Sequence, residues 1–143
     1  MGEDSLASPL PITANDTKMN VRVWSPDAGI QVRLKVEDAT DPTKSVETEA
    51  TTTMAGAWET LEFDFSNEAP GTAALNLSYT FNMTSIFFNF GVDGMTAGEK
   101  TYYWDDVKFG PANNGPTPID LPKPKGCLYT LAKIRCFRTC LCQ

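Results

Sequence analysis

Two adjacent carboxylates stand inside a strand-like stretch, TYYWDDVKF at residues 101–109, where Asp105 and Asp106 lie between Trp104 and Val107. A strand sends successive side chains to opposite faces. With Val107 and Phe109 read as core, Asp105 points inward and Asp106 outward. A carboxylate buried alone is costly. Asp105 therefore requires either a hard cation or a cap of backbone N–H groups or a base such as Lys100. Calcium, with oxygen ligands at about 2.3–2.6 Å, suits the first case, and Asp105 and Asp106 are its candidate ligands. Two further pairs, Glu62 with Asp64 and Glu47 with Glu49, occupy alternate positions of a strand. That places their carboxylates about 7 Å apart, a separation at which glycosidic bonds can be cleaved by an acid and a base. Any solvated strand face carrying alternating acids has the same spacing, and the chain holds 18 acids. Catalysis by a carboxylate pair is thus the alternative, and a solvated face is the reading taken. Histidine is absent, which excludes Ser–His and Cys–His catalysis and the commonest zinc ligand.

The aromatic residues suggest binding. A sugar ring offers an apolar face of C–H groups and a rim of hydroxyls, so its site needs a flat aromatic beside hydrogen-bonding groups. Trp24 is in phase with Arg22 on the outward face of its strand. Arg33 lies outward on the following strand with Gln31, and a short turn between the two strands would make them neighbours, so that Arg22, Trp24, Arg33 and Gln31 share one surface. Phe87 and Asn89 point away from the row of Ile86, Phe88, Phe90 and Val92. Tyr102 and Trp104 point away from Val107. These eight residues are the candidate carbohydrate contacts. Trp58 opens its strand after MAGA at residues 54–57 and reads as a corner-packing residue.

The elements that must position these side chains are all strands. NVRVW (20–24), IQVRLKVED (30–38), SVETEATTT (45–53), WETLEFDF (58–65), SIFFNFGV (85–92) and the stretch at 101–109 alternate apolar with polar residues, and SPDAG (25–29) is a turn. SPLPIT (8–13) is an edge strand at most, because its prolines cannot donate to a ladder. No segment has a helical period. Short strands at regular spacing predict an all-β, antiparallel β-sandwich.

The chain divides into a body at 1–110, a Pro/Gly-rich linker at 111–126 and a basic tail at 127–143 that contains all four cysteines. The tail spacing C-x8-C-x3-C-x-C fits no zinc template, and its composition is that of a sequence appended to the body. The net charge of −6 over 143 residues argues against nucleic-acid binding. No apolar run approaches the roughly 20 residues of a membrane span, and MGEDSLASPL has neither the basic start nor the apolar stretch of a signal peptide.

Taken together, residues 19–66, with SIFFNFGVDG (85–94) and KTYYWDDVKFG (100–110), resemble the galactose-binding-like, jelly-roll carbohydrate-binding modules appended to secreted bacterial glycoside hydrolases. The resemblance implies a non-catalytic, extracellular module that binds a polysaccharide, a plant or algal glucan, and targets a parent enzyme to it. It also implies a structural calcium at Asp105. Such modules begin with an acidic strand that has no counterpart here. The expected sandwich therefore lacks its usual first strand and has an open sheet edge through which the chain could self-associate. No E-x-D-x-x-E motif of a jelly-roll glucanase is present.

Overall fold

The structure, a computed structural model, describes residues 6–112. Six strands form in chain order: β1 (Lys18–Ser25), β2 (Gln31–Asp38), β3 (Asp41–Thr51), β4 (Ala57–Asp64), β5 (Met83–Phe88) and β6 (Tyr103–Phe109). A single helical turn, α1 (Gly94–Ala97), lies between β5 and β6. The strands make two antiparallel three-stranded sheets, ordered β4-β1-β6 and β3-β2-β5. This is the all-β sandwich that the alternation predicts.

The core is built from the predicted inward rows. Met19, Val21 and Val23 of β1 and Leu61 and Phe63 of β4 face Val32, Leu34 and Val36 of β2, Val46 of β3, and Ile86 and Phe88 of β5. β4 lies over β3. β6 and β5 share the opposite side, where Tyr102 stacks on Phe88 with ring centroids 4.8 Å apart and 8° between the planes. On that side Trp104, Val107 and Phe109 of β6 are only half-buried against the core. Residues 8–13 form no ladder. Leu10 still donates its N–H to Phe81 at 2.7 Å, and Leu10 and Ile12 pack on the core beside the start of β5. Pro9 and Pro11 have no N–H with which to continue the pairing.

Two expectations fail here for local reasons. β5 ends at Phe88 rather than Val92, because Asn89 turns into left-handed backbone at φ +54°. Phe90 and Val92 then leave the inward row and are 38% and 37% exposed. The turn at 25–29 also joins no hairpin. β1 and β2 belong to different sheets, and the turn carries the chain from one layer to the other. Two buried hydroxyls stitch this crossing. Ser25 Oγ donates to the Asp27 carbonyl at 2.6 Å. Thr52 Oγ1 accepts from Ile30 N–H at 2.9 Å and donates to the Asp27 carbonyl at 3.1 Å. Gly29, at φ +76°, donates to the Thr52 carbonyl at 2.7 Å. A tight hairpin would instead need two consecutive residues suited to primed-turn geometry.

Candidate functional site: an aromatic row on the outer sheet face

The register of the β4-β1-β6 sheet collects three aromatic side chains on its outer face. Trp24 is the cross-strand partner of Trp58 on β4 and of Tyr103 on β6. Neighbouring strands lie about 4.8 Å apart, so the row Trp58, Trp24, Tyr103 spans about 10 Å. Trp24 and Tyr103 meet edge to face, with centroids 5.4 Å apart and 64° between planes. All three rings are half-buried, so part of each faces solvent. The next row along the strands is polar. Arg22 partners Thr60 on β4 and Asp105 on β6, and its guanidinium lies 4.9 Å from the Trp58 ring centroid. The face thus offers an aromatic row, with the Trp24 and Tyr103 planes turned against each other, beside a guanidinium, a hydroxyl and a carboxylate.

Asp105 joins this face because β6 is bulged. Asp105 opposes Arg22 and Lys108 opposes Asn20, so Asp106 and Val107 together oppose Val21. Asp106 absorbs the extra residue in left-handed backbone at φ +49°, and its N–H donates to Asp105 Oδ1 at 2.8 Å. The reading of Asp105 as an inward carboxylate is therefore corrected. Both carboxylates face outward, while Trp104, opposite the buried Val23, turns inward. The energetics favour this arrangement. Left-handed backbone costs a non-glycine residue about 1–3 kcal/mol, and Asp is among the residues that tolerate it best. Burying an unpaired carboxylate costs several kcal/mol.

The bulge removes the reason for placing a cation at Asp105. Among the described residues no three Asp, Glu, His or Cys side chains gather as a metal site would require. Calcium takes six to eight oxygen ligands. Asp105 and Asp106 supply two adjacent carboxylates toward such a set, with Asp105 in register with Arg22.

The other candidate contacts are dispersed. Arg33 and Gln31 lie on the outer face of the opposite sheet, because β1 and β2 are separated by the crossing. There Arg33 donates from Nε to Glu49 at 2.8 Å and from Nη1 to Glu47 at 2.9 Å, and Gln31 donates to Glu49 as well. The Arg33 guanidinium lies 3.6 Å from the Phe90 centroid, and Phe90 meets Phe87 edge to face at 5.9 Å. Glu47 and Glu49 therefore hold an arginine. Asn89 forms the turn that ends β5, and Tyr102 and Trp104 pack on the core.

The remaining acid pair is likewise engaged. Glu62 accepts from Lys18 at 2.6 Å and from the Ala112 N–H at 2.9 Å, and these bonds hold its carboxyl below the ordinary value. Burial pushes the Asp64 carboxyl up, but hydrogen bonds from Ser66 and Thr17 outweigh it and leave the group lowered. A general acid in a glycosidase needs the opposite shift.

Two members of the aromatic row, Trp58 and Tyr103, were not expected there. For Trp58 the signal was present. It has the parity of Thr60 and Glu62, the outward residues of its own strand. Tyr103 was hidden because strict alternation through Asp105–Asp106 assigns it to the wrong face.

No protein-family model, curated protein or solved structure matches this chain.

Proposed function

We propose that the protein is a non-catalytic carbohydrate-binding module that holds a polysaccharide on the outer face of the β4-β1-β6 sheet. The observation that carries this reading is the solvent-facing row of Trp58, Trp24 and Tyr103, with Arg22, Thr60 and Asp105 beside it. Sugar rings stack on the aromatic strip, and their hydroxyls bond to the polar row. A neutral glycan suits the acidic body better than a polyanionic one. The resemblance to secreted jelly-roll modules points the same way, to a plant or algal glucan and a module that brings a parent enzyme to it.

Affinity electrophoresis in gels containing soluble β-glucans tests the reading. Trp24→Ala should lose on the order of 1–3 kcal/mol of affinity, mostly apolar contact, with little change in melting temperature. Tyr103→Ala should weaken binding in the same direction. A Trp24→Ala chain that unfolds, or that migrates through glucan as the parent does, removes this face as the binding site.

A further inference from the structure

The last described residues run across the outer face of the β4-β1-β6 sheet. After β6, Gly110 donates its N–H to the Lys18 carbonyl at 2.8 Å. Asn20 Nδ2 then donates to the carbonyls of Gly110 and Pro111 at 3.0 and 3.2 Å, and Ala112 N–H reaches Glu62 on β4 at 2.9 Å. The segment Gly110–Ala112 therefore crosses the outer face from β6 over β1 toward β4. It covers Asn20, whose strand position is outward but which is only 7% exposed. Trp24 lies four residues further along β1, about 13 Å away.

Residues 113–126 supply 14 residues of linker beyond that point. At about 3.1 Å per residue even a stiff linker covers this distance several times over. The charges are complementary. Residues 1–112 carry 7 Lys and Arg against 17 Asp and Glu, while residues 113–143 carry 5 against 1, net charges of −10 and +4. Among the described residues Asp105 and Asp106 enter no ion pair, unlike Glu47, Glu49 and Glu37 of the opposite sheet. The tail holds Lys133, Arg135 and Arg138 among Leu128, Tyr129, Leu131, Ile134 and Phe137.

We propose that residues 127–143 of the same chain bind back onto the outer face of β4-β1-β6, laying apolar side chains on Trp24 and Trp58 and cations against Asp105 and Asp106, and so compete with the glycan. The glycan half of this statement rests on the proposed function; the tail contact does not. A tether of this length holds the tail at an effective concentration near millimolar, so a weak contact is enough to occupy the face. Salt weakens it, since charges on a surface are screened over about 10 Å at 0.1 M.

The test uses the full chain, with its three tryptophans reporting through their indole N–H resonances. Trp24 and Trp58 lie on the face, Trp104 is the internal control, and Trp24→Phe and Trp58→Phe assign the signals. In the triple variant Lys133→Glu, Arg135→Glu, Arg138→Glu the Trp24 and Trp58 signals should move while Trp104 stays. Salt at about 0.5 M should move the parent toward the variant. Retardation by soluble β-glucan should increase several-fold in the variant. Unchanged Trp24 and Trp58 signals overturn the proposal, as does a shift confined to Trp104, which would place the tail on the half-buried side of β6. A parent shift that grows with protein concentration also overturns it, in favour of the tail of a second copy. Glucan binding without an indole change defeats this inference alone. An indole change without glucan binding in either chain defeats the proposed function alone.

Discussion

Asp106 is the residue on which the aromatic face depends. Its left-handed conformation lets β6 pass two consecutive acids without burying either, and it sets Asp105 beside Arg22 while turning Trp104 to the core. Asp106→Gly should fold with stability within about 1 kcal/mol of the parent, because glycine adopts this backbone without strain. Asp106→Val should lose about 1–3 kcal/mol, since a β-branched residue resists it. Equal losses in urea unfolding for the two variants would show that the bulge does not rest on this conformation. Lys18 and Glu62 define the pH window at the same scale. Glu62, with an ordinary value of 4.5, is lowered by the hydrogen bond and charge of Lys18. Its contribution is therefore complete above that value and is lost as pH falls through the folded one. Lys18, ordinarily 10.5, is raised by the hydrogen bond and charge of Glu62. Its contribution is complete below 10.5 and fades as pH rises through the folded value. Stability attributable to the pair should be flat between these limits, and Glu62→Gln should flatten the acid limb of a melting-temperature profile. An unchanged acid limb would assign the loss to other carboxylates such as Asp64.

At the scale of elements, the crossing between β1 and β2 decides which side chains can act together. Thr52, 2% exposed, serves both partners of that crossing through one hydroxyl. Thr52→Val keeps the shape and removes the hydroxyl, so the Ile30 N–H loses this acceptor while the Asp27 carbonyl keeps the Ser25 hydroxyl. That should cost about 1–3 kcal/mol in urea unfolding. Thr52→Ser, which keeps the hydroxyl and loses one methyl, should cost less, about 0.8 kcal/mol. If Val is tolerated as well as Ser, the crossing is held by its backbone bonds alone. β6 shows the same economy at a sheet edge. The bulge together with the outward Asp106 and Lys108 interrupts the flat ladder that a second strand would need for pairing, a common protection of edge strands.

For the whole molecule, the outward turn of Asp105 changes what a cation could contribute. A ligand that binds only the native state raises stability by RT ln(1 + [L]/Kd), roughly 2.7 kcal/mol at a hundredfold excess over Kd. With both carboxylates outward, melting temperatures in millimolar calcium and in chelator should agree. A chelator-sensitive melt that disappears in Asp105→Asn would place calcium at this site. The polarity of charge along the chain is a separate property of the whole. An acidic sandwich continues into a basic tail through a linker that starts on the aromatic face, and the competition proposed above follows from that order.

Alternation alone determined the sandwich and most of its core. Val21, Val23, Val32, Leu34, Val36, Leu61 and Phe63 all lie where a period of two places them, because each strand has one buried and one solvated face. It also determined that Trp24 and Arg22 face outward. Tertiary structure alone decided the membership of the site. A period of two is blind to a residue that leaves the ladder, so the left-handed turns at Asn89 and Asp106 reversed the faces of Phe90, Trp104 and Asp105. The period also does not record which sheet a strand joins. Arg33 and Gln31 went to the opposite face because Ser25 and Thr52 stitch the turn after β1 into a crossing, while Trp58 and Tyr103 came to Trp24 through pairings set by strands distant in sequence.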